Sequence, residues 1–123
     1  MSRPDHISTV SGEDATLMFQ EVRVAAISFK PRKFDIRRNA DRLEAKLRQA
    51  ADRGAQLALA PEGALEGYVA YEIVQGRHPP ERMREVAIST QDPLFRRFCA
   101  LARELRMCVA FGFAERVGRD VGA

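Results

Sequence analysis

The chain has 123 residues, 46% hydrophobic and 30% charged, with a formal net charge of +3 at pH 7. That length and balance suit one globular domain and exclude wholesale disorder. No apolar run approaches the ~20 residues of a membrane-spanning helix, no secretory signal opens the chain, and two cysteines cannot build a disulfide framework.

Residues 1–20 are rich in Ser, Thr, Asp, Glu, Gly and Pro and sustain no period. They read as a flexible tail, with Met18 an alternative start just before the ordered part, residues 21–123. Val22 to Phe29 (VRVAAISF) is apolar apart from Arg23, as expected of a strand covered on both faces in a parallel sheet. Pro31 breaks that run. Asp35 to Arg53 predicts a helix: Ile36, Ala40, Leu43, Leu47 and Ala50 recur at helical offsets, and charged residues occupy the other faces. Asp35 is its expected N-cap, and Gly54 its left-handed stop. The arginines at 37, 38, 42, 48 and 53 fall on its solvent side, balanced by Asp41, Glu44 and Asp52.

Gln56 to Ala60 (QLALA) predicts a second strand, so the three pieces form a βαβ unit with parallel strands. Residues 62–71 are irregular, with room for short helical turns. Glu81 to Ile88 suggests a short helix. Asp92 and Pro93 open a helix whose stripe is Leu94, Phe98, Leu101, Ala102 and Leu105. Met107 to Phe113 (MCVAFGF) predicts a third strand, and residues 115–123 are polar and glycine-containing.

Cys99 and Cys108 sit in apolar stretches and are expected to be buried, reduced thiols. His6 and His78 lie far from both, so no metal-ligand spacing exists and no metal or cofactor is expected. Acidic residues interleave the basic ones, which argues against a nucleic-acid partner. No Gly-rich phosphate fingerprint follows VRVAAISF. The expected location is cytoplasmic, with no membrane partner.

Open α/β sheets collect ligands at the carboxyl ends of their strands. Glu62 stands just past such an end, after QLALAP. Pro61 keeps Ala60 extended, and Gly63 permits a sharp turn without crowding the carboxylate. Partial burial there would raise the carboxyl pKa toward the range of a general base.

The segment LALAPEGALEGY resembles the first catalytic motif of the carbon–nitrogen hydrolases, the nitrilase and amidase superfamily. There an apolar strand ends in Pro-Glu and a Gly-Tyr pair follows after four residues. Here these are Pro61, Glu62, Gly67 and Tyr68. VRVAAISF resembles that family's opening strand. The helix with Asn39, Ala40, Ala50 and Ala51 resembles its first helix, and FCALARELRMCVAFGFAER its next helix and strand. The likeness covers residues 22–117.

The resemblance implies an α/β fold, a partial α-β-β-α sandwich of the nitrilase type with a βαβ unit, and members that pair into homo-oligomers. It implies hydrolysis of a C–N bond in a small amide, nitrile or carbamoyl compound by a Glu-Lys-Cys triad. Cysteine is the nucleophile, glutamate the general base, and lysine holds the oxyanion. Glu62 matches the glutamate. All three lysines, Lys30, Lys33 and Lys46, precede Glu62, whereas the family's lysine and cysteine follow it. Cys99 falls within a helix stripe and Cys108 within a strand, not at the expected elbow. The expectation is therefore an amino-terminal portion of the domain, holding the base alone and inactive by itself. The alternative is a non-catalytic binding or interaction module derived from the family.

Glu66, four residues after Glu62, reads as a solvated loop or helix residue. Tyr68 and Tyr71 are expected to pack against the loop rather than line a pocket. Glu115 reads as a strand-end residue and His78, beside two prolines, as exposed.

Overall fold

A computed structural model describes residues 21–122. The tail read at residues 1–20 and the alternative start at Met18 lie outside the described residues. In chain order the elements are β1 (Val24–Ala26), α1 (Ile36–Asp52), β2 (Leu57–Leu59) and α2 (Ala70–Val74). Then follow α3 (Glu81–Val86), α4 (Pro93–Leu105), β3 (Cys108–Ala110), β4 (Glu115–Val117) and β5 (Asp120–Gly122). β1, β2 and β3 form one parallel sheet in that order, with Val24, Leu57 and Cys108 in register. The βαβ unit expected from the sequence is present, and α4 leads into a third parallel strand.

Local chemistry explains the two long helices. The Asp35 side chain accepts from the Arg38 N–H (3.2 Å) and caps α1. Gly54 takes φ +85° just past its end. Asp92 accepts from the Leu94 N–H (2.8 Å), and Pro93 opens α4 where no N–H is required. Ala40, Leu43, Leu47 and Ala50 of α1 and Phe98 and Leu101 of α4 are buried in one core. Ala25, Ala58 and Val109, aligned across the three strands, pack into it from the sheet. Arg97 bridges the helices by donating to Asp41 and Glu44 (both 2.8 Å). Arg48 joins Glu44 (2.9 Å) to Glu104 (2.7 Å).

Two expectations need correction. VRVAAISF was expected to be covered on both faces, yet only the Ala25 side meets the helices. Residues alternate across a strand, so Val24 is left 48% exposed and Leu59 46% exposed, beside exposed Ala26 and Ala110. The two expected buried thiols are both exposed. Cys108 shares the Val24 register and so points to the bare face, while Cys99 lies one residue off the Phe98–Leu101 stripe of α4. Near the polar end, where no element was expected, Glu115–Val117 and Asp120–Gly122 pair antiparallel around Gly118, which takes φ +61°. Ile88 joins this hairpin through a bridge to Glu115. Among the described residues, no helix is long and apolar enough to cross a membrane.

Candidate active site

The chain leaves the central strand β2 through Pro61 and turns sharply, with Gly63 at φ +58°. Two backbone bonds tie this turn to the exit of β3. The Gly112 N–H donates to Pro61 O (3.2 Å), and the Ala64 N–H donates to Gly112 O (2.9 Å). The approach is so close that a Cβ at Gly112 would lie 2.9 Å from Glu62 Cα. A glycine is therefore required there for contact rather than for φ.

The far side of the loop is held by α1 and the turn before it. Asn39 is fully buried. Its Nδ2 donates to the carbonyls of Arg32 and Leu65, and its Oδ1 accepts from the Arg32 N–H, all at 2.7 Å. The Phe34 N–H donates to Glu66 O (2.9 Å). Gly67, at φ +90°, passes so close that a Cβ would meet Arg32 O at 2.5 Å. Asn39 thus satisfies backbone groups on two segments that have no ladder partner of their own.

Glu66 is 5% exposed, not solvated as its sequence setting suggests. Its Oε1 accepts from the Ala114 N–H (3.0 Å). Burial pushes its carboxyl above the usual carboxylate range, against the opposing pull of the backbone N–H bonds. Glu62 is exposed, so the partial burial expected for it is not found in this chain.

Glu62 and Glu66 share an open pocket of about 640 Å³ with Tyr68, Tyr71, Phe111, Phe113 and Glu115. The two tyrosines therefore line the pocket, more than half exposed, instead of packing against the loop. The helix α2 that carries Tyr71 is fastened from outside. Its Glu72 pairs with Lys33 and accepts from His78 Nε2 (2.9 Å). His78, expected to be exposed, is instead partly buried, edge-on to Phe34 with ring centroids 4.9 Å apart. Glu115 begins β4, in keeping with its reading as a strand-end residue. Neither Cys99 nor Cys108 lines the pocket. Among the described residues no group of three or more His, Cys, Asp or Glu is gathered to hold a metal ion.

A parallel sheet with a carboxylate at the end of its central strand, over an aromatic-walled pocket, defines an α/β domain with a candidate site where such sheets collect ligands. Residues 23–122 match the carbon-nitrogen hydrolase family, and the chain belongs to it. It is 28% identical over 103 residues to a bromoxynil-specific nitrilase of Klebsiella pneumoniae subsp. ozaenae, covering 80% of this chain and 30% of that protein. It is 29% identical over 101 residues to an arylacetonitrilase of Aspergillus oryzae, covering 79% and 30%. A crystal structure of an amidase from Nesterenkonia sp. superposes with a TM-score of 0.59 at 25% identity, over 79% of this chain and 34% of that one. The chain thus spans about a third of the length of these relatives.

Glu66, Asn39 and Gly112 were not singled out as site-forming from the sequence. Glu66 did carry one signal: an acidic residue set within the apolar run Ala64, Leu65 and Val69. The grip of Gly112 on Glu62 is a long-range contact that no local pattern encodes.

Proposed function

We propose that residues 21–123 are the amino-terminal part of a carbon–nitrogen hydrolase domain and that Glu62 is its general base. In this reading Glu62 takes the proton of a cysteine thiol, whose sulfur attacks the carbon of a small amide, nitrile or carbamoyl compound. Glu62 then returns the proton to the nitrogen, which leaves directly from an amide or carbamoyl compound but from a nitrile only after one water has added; a further water releases the acyl group. A lysine from outside this chain stabilises the oxyanion. The observation that carries the proposal is the seat of Glu62, at the carboxyl end of the central strand and on the wall of the 640 Å³ pocket.

The bare apolar face of the sheet supports the partial-domain reading, because the second sheet of an α-β-β-α sandwich would cover it. Cytoplasmic location and pairing into a homo-oligomer are part of the same proposal. Fusing this chain to the remainder of an amidase relative, with its lysine and cysteine, should give amide turnover. Glu62→Gln should lower that turnover by about 10²–10⁴-fold. Unchanged turnover in the variant would sink the general-base assignment.

The second reading is a non-catalytic binding module. That reading requires the chain alone to unfold cooperatively as a monomer. Exposed apolar sheet surface predicts concentration-dependent association instead, and analytical ultracentrifugation separates the two.

A further inference from the structure

We propose that Glu66 is the positioning residue of the Glu62 turn, holding it by the reach of its carboxyl oxygen rather than by its charge. The inference rests on Glu62 as the general base, since positioning matters only if Glu62 acts. Glu62 itself has no side-chain bond that fixes it among the described residues; its place is set by the backbone on either side. On one side stand the Gly112 bonds to Pro61 and Ala64. Beyond them the β3 exit is held on its outer side by Ile88, whose N–H donates to Ala114 O at 3.1 Å, and is tied to the loop by the Ala114 N–H, which donates to Glu66 Oε1 at 3.0 Å.

That bond closes a ring. It runs from Pro61 through Glu62 to Glu66, across to Ala114, and back through Gly112 to Pro61. The carboxyl tucks under the turn, since a Cβ on Gly63 would lie 2.9 Å from Glu66 Oε2. The main chain of Glu66 is fixed from the opposite side by the Phe34 N–H. An acceptor is what the Ala114 N–H requires here. An amide oxygen at the same reach supplies one, and a carboxylate one methylene shorter does not.

The test is amide hydrogen exchange and NOE spectroscopy on the 123-residue chain. In Glu66→Gln the Ala114, Gly112 and Ala64 amides should stay within about twofold of their original protection. In Glu66→Asp, which keeps the charge and loses the reach, those amides should exchange at least ~tenfold faster. Leu43 and Leu47 of α1 should remain unchanged in both. The NOE between the α-protons of Glu62 and Gly112 should survive in the Gln variant and fade in the Asp variant. Equal exchange in all three proteins would overturn the proposal. So would losses in the Gln variant matching those in the Asp variant, or losses at Leu43 and Leu47 as large as at Ala114. None of these readouts involves turnover, so they are independent of whether Glu62→Gln abolishes catalysis.

Discussion

Glu66 shows how a residue's setting can reverse its sequence reading. An acidic side chain in a glycine-rich loop is ordinarily solvated, and its spacing from Glu62 gave no hint of burial. Its folded pKa is raised by desolvation, so the folded chain holds this proton more tightly than the unfolded chain does. The stability it contributes is complete below the ordinary glutamate value of about 4.3 and is lost as pH rises through the higher folded value. Glu66→Gln removes that loss. Urea unfolding should therefore show the variant gaining on the original protein as pH climbs from 4 to 7, whatever their offset at pH 4. A parallel pair of pH curves would contradict it. Gly112 makes the complementary point about space. Gly112→Ala forces a Cβ to 2.9 Å from the Glu62 backbone, which should cost about 1–3 kcal/mol in chemical denaturation. It should also displace Glu62, seen as shifts of the Glu62 and Gly63 resonances.

At the scale of elements, α1 does more than fill the core. Its first turn carries Asn39, the fully buried anchor of both the Arg32 turn and the Pro61–Tyr68 loop. Asn39→Ala leaves the Leu65 carbonyl and the Arg32 N–H without partners, while the Arg32 carbonyl keeps the Asp35 N–H, and should lower stability by about 2–4 kcal/mol. Arg97 joins α1 to α4 by bonds equally short on paper, yet its side chain is a third exposed. Arg97→Ala should cost less than about 1 kcal/mol, shrinking further in high salt. The reverse ranking in a denaturation series would show that the helix pair, not the loop anchor, limits stability.

The helices and strands were legible because their signals are local: Asp35, Gly54, Asp92 and Pro93 mark ends, and the Leu43–Leu47 stripe marks a face. The Glu62 motif was legible as a string. Burial of Glu66 was signalled only by its apolar neighbours, and burial of Asn39 and exposure of Cys99 and Cys108 were not legible at all. Each depends on which segments meet across the fold, or on which sheet face stays bare, and no local window reports either. The β4–β5 hairpin was missed because only Gly118 marks its turn and its strands are three residues each.

At the scale of the molecule the dominant feature is one-sidedness. Both long helices share a core with one face of the sheet, while Val24, Leu59 and Cys108 occupy the other. The native chain should therefore react with two equivalents of a thiol reagent such as dithionitrobenzoate, without a denaturant. Slow labelling of Cys108 at rising protein concentration, with Cys99 still fast, would report association through the bare face. Labelling of neither thiol in the dilute monomer would contradict their exposure.

The register of the sheet also carries a consequence for synthesis on the ribosome. β2 finds β1 already made, so the first parallel pair and α1 can assemble as soon as Leu59 emerges. The Pro61–Tyr68 loop has no such luck. Its braces at Gly112 and Ala114 come from the last quarter of the chain. The proposed general base is thus translated in the middle of this segment and set in place only near its end. A nascent chain halted before Phe111 should already protect Leu43 and Leu47 from exchange, while leaving Glu62 on an open, protease-sensitive loop.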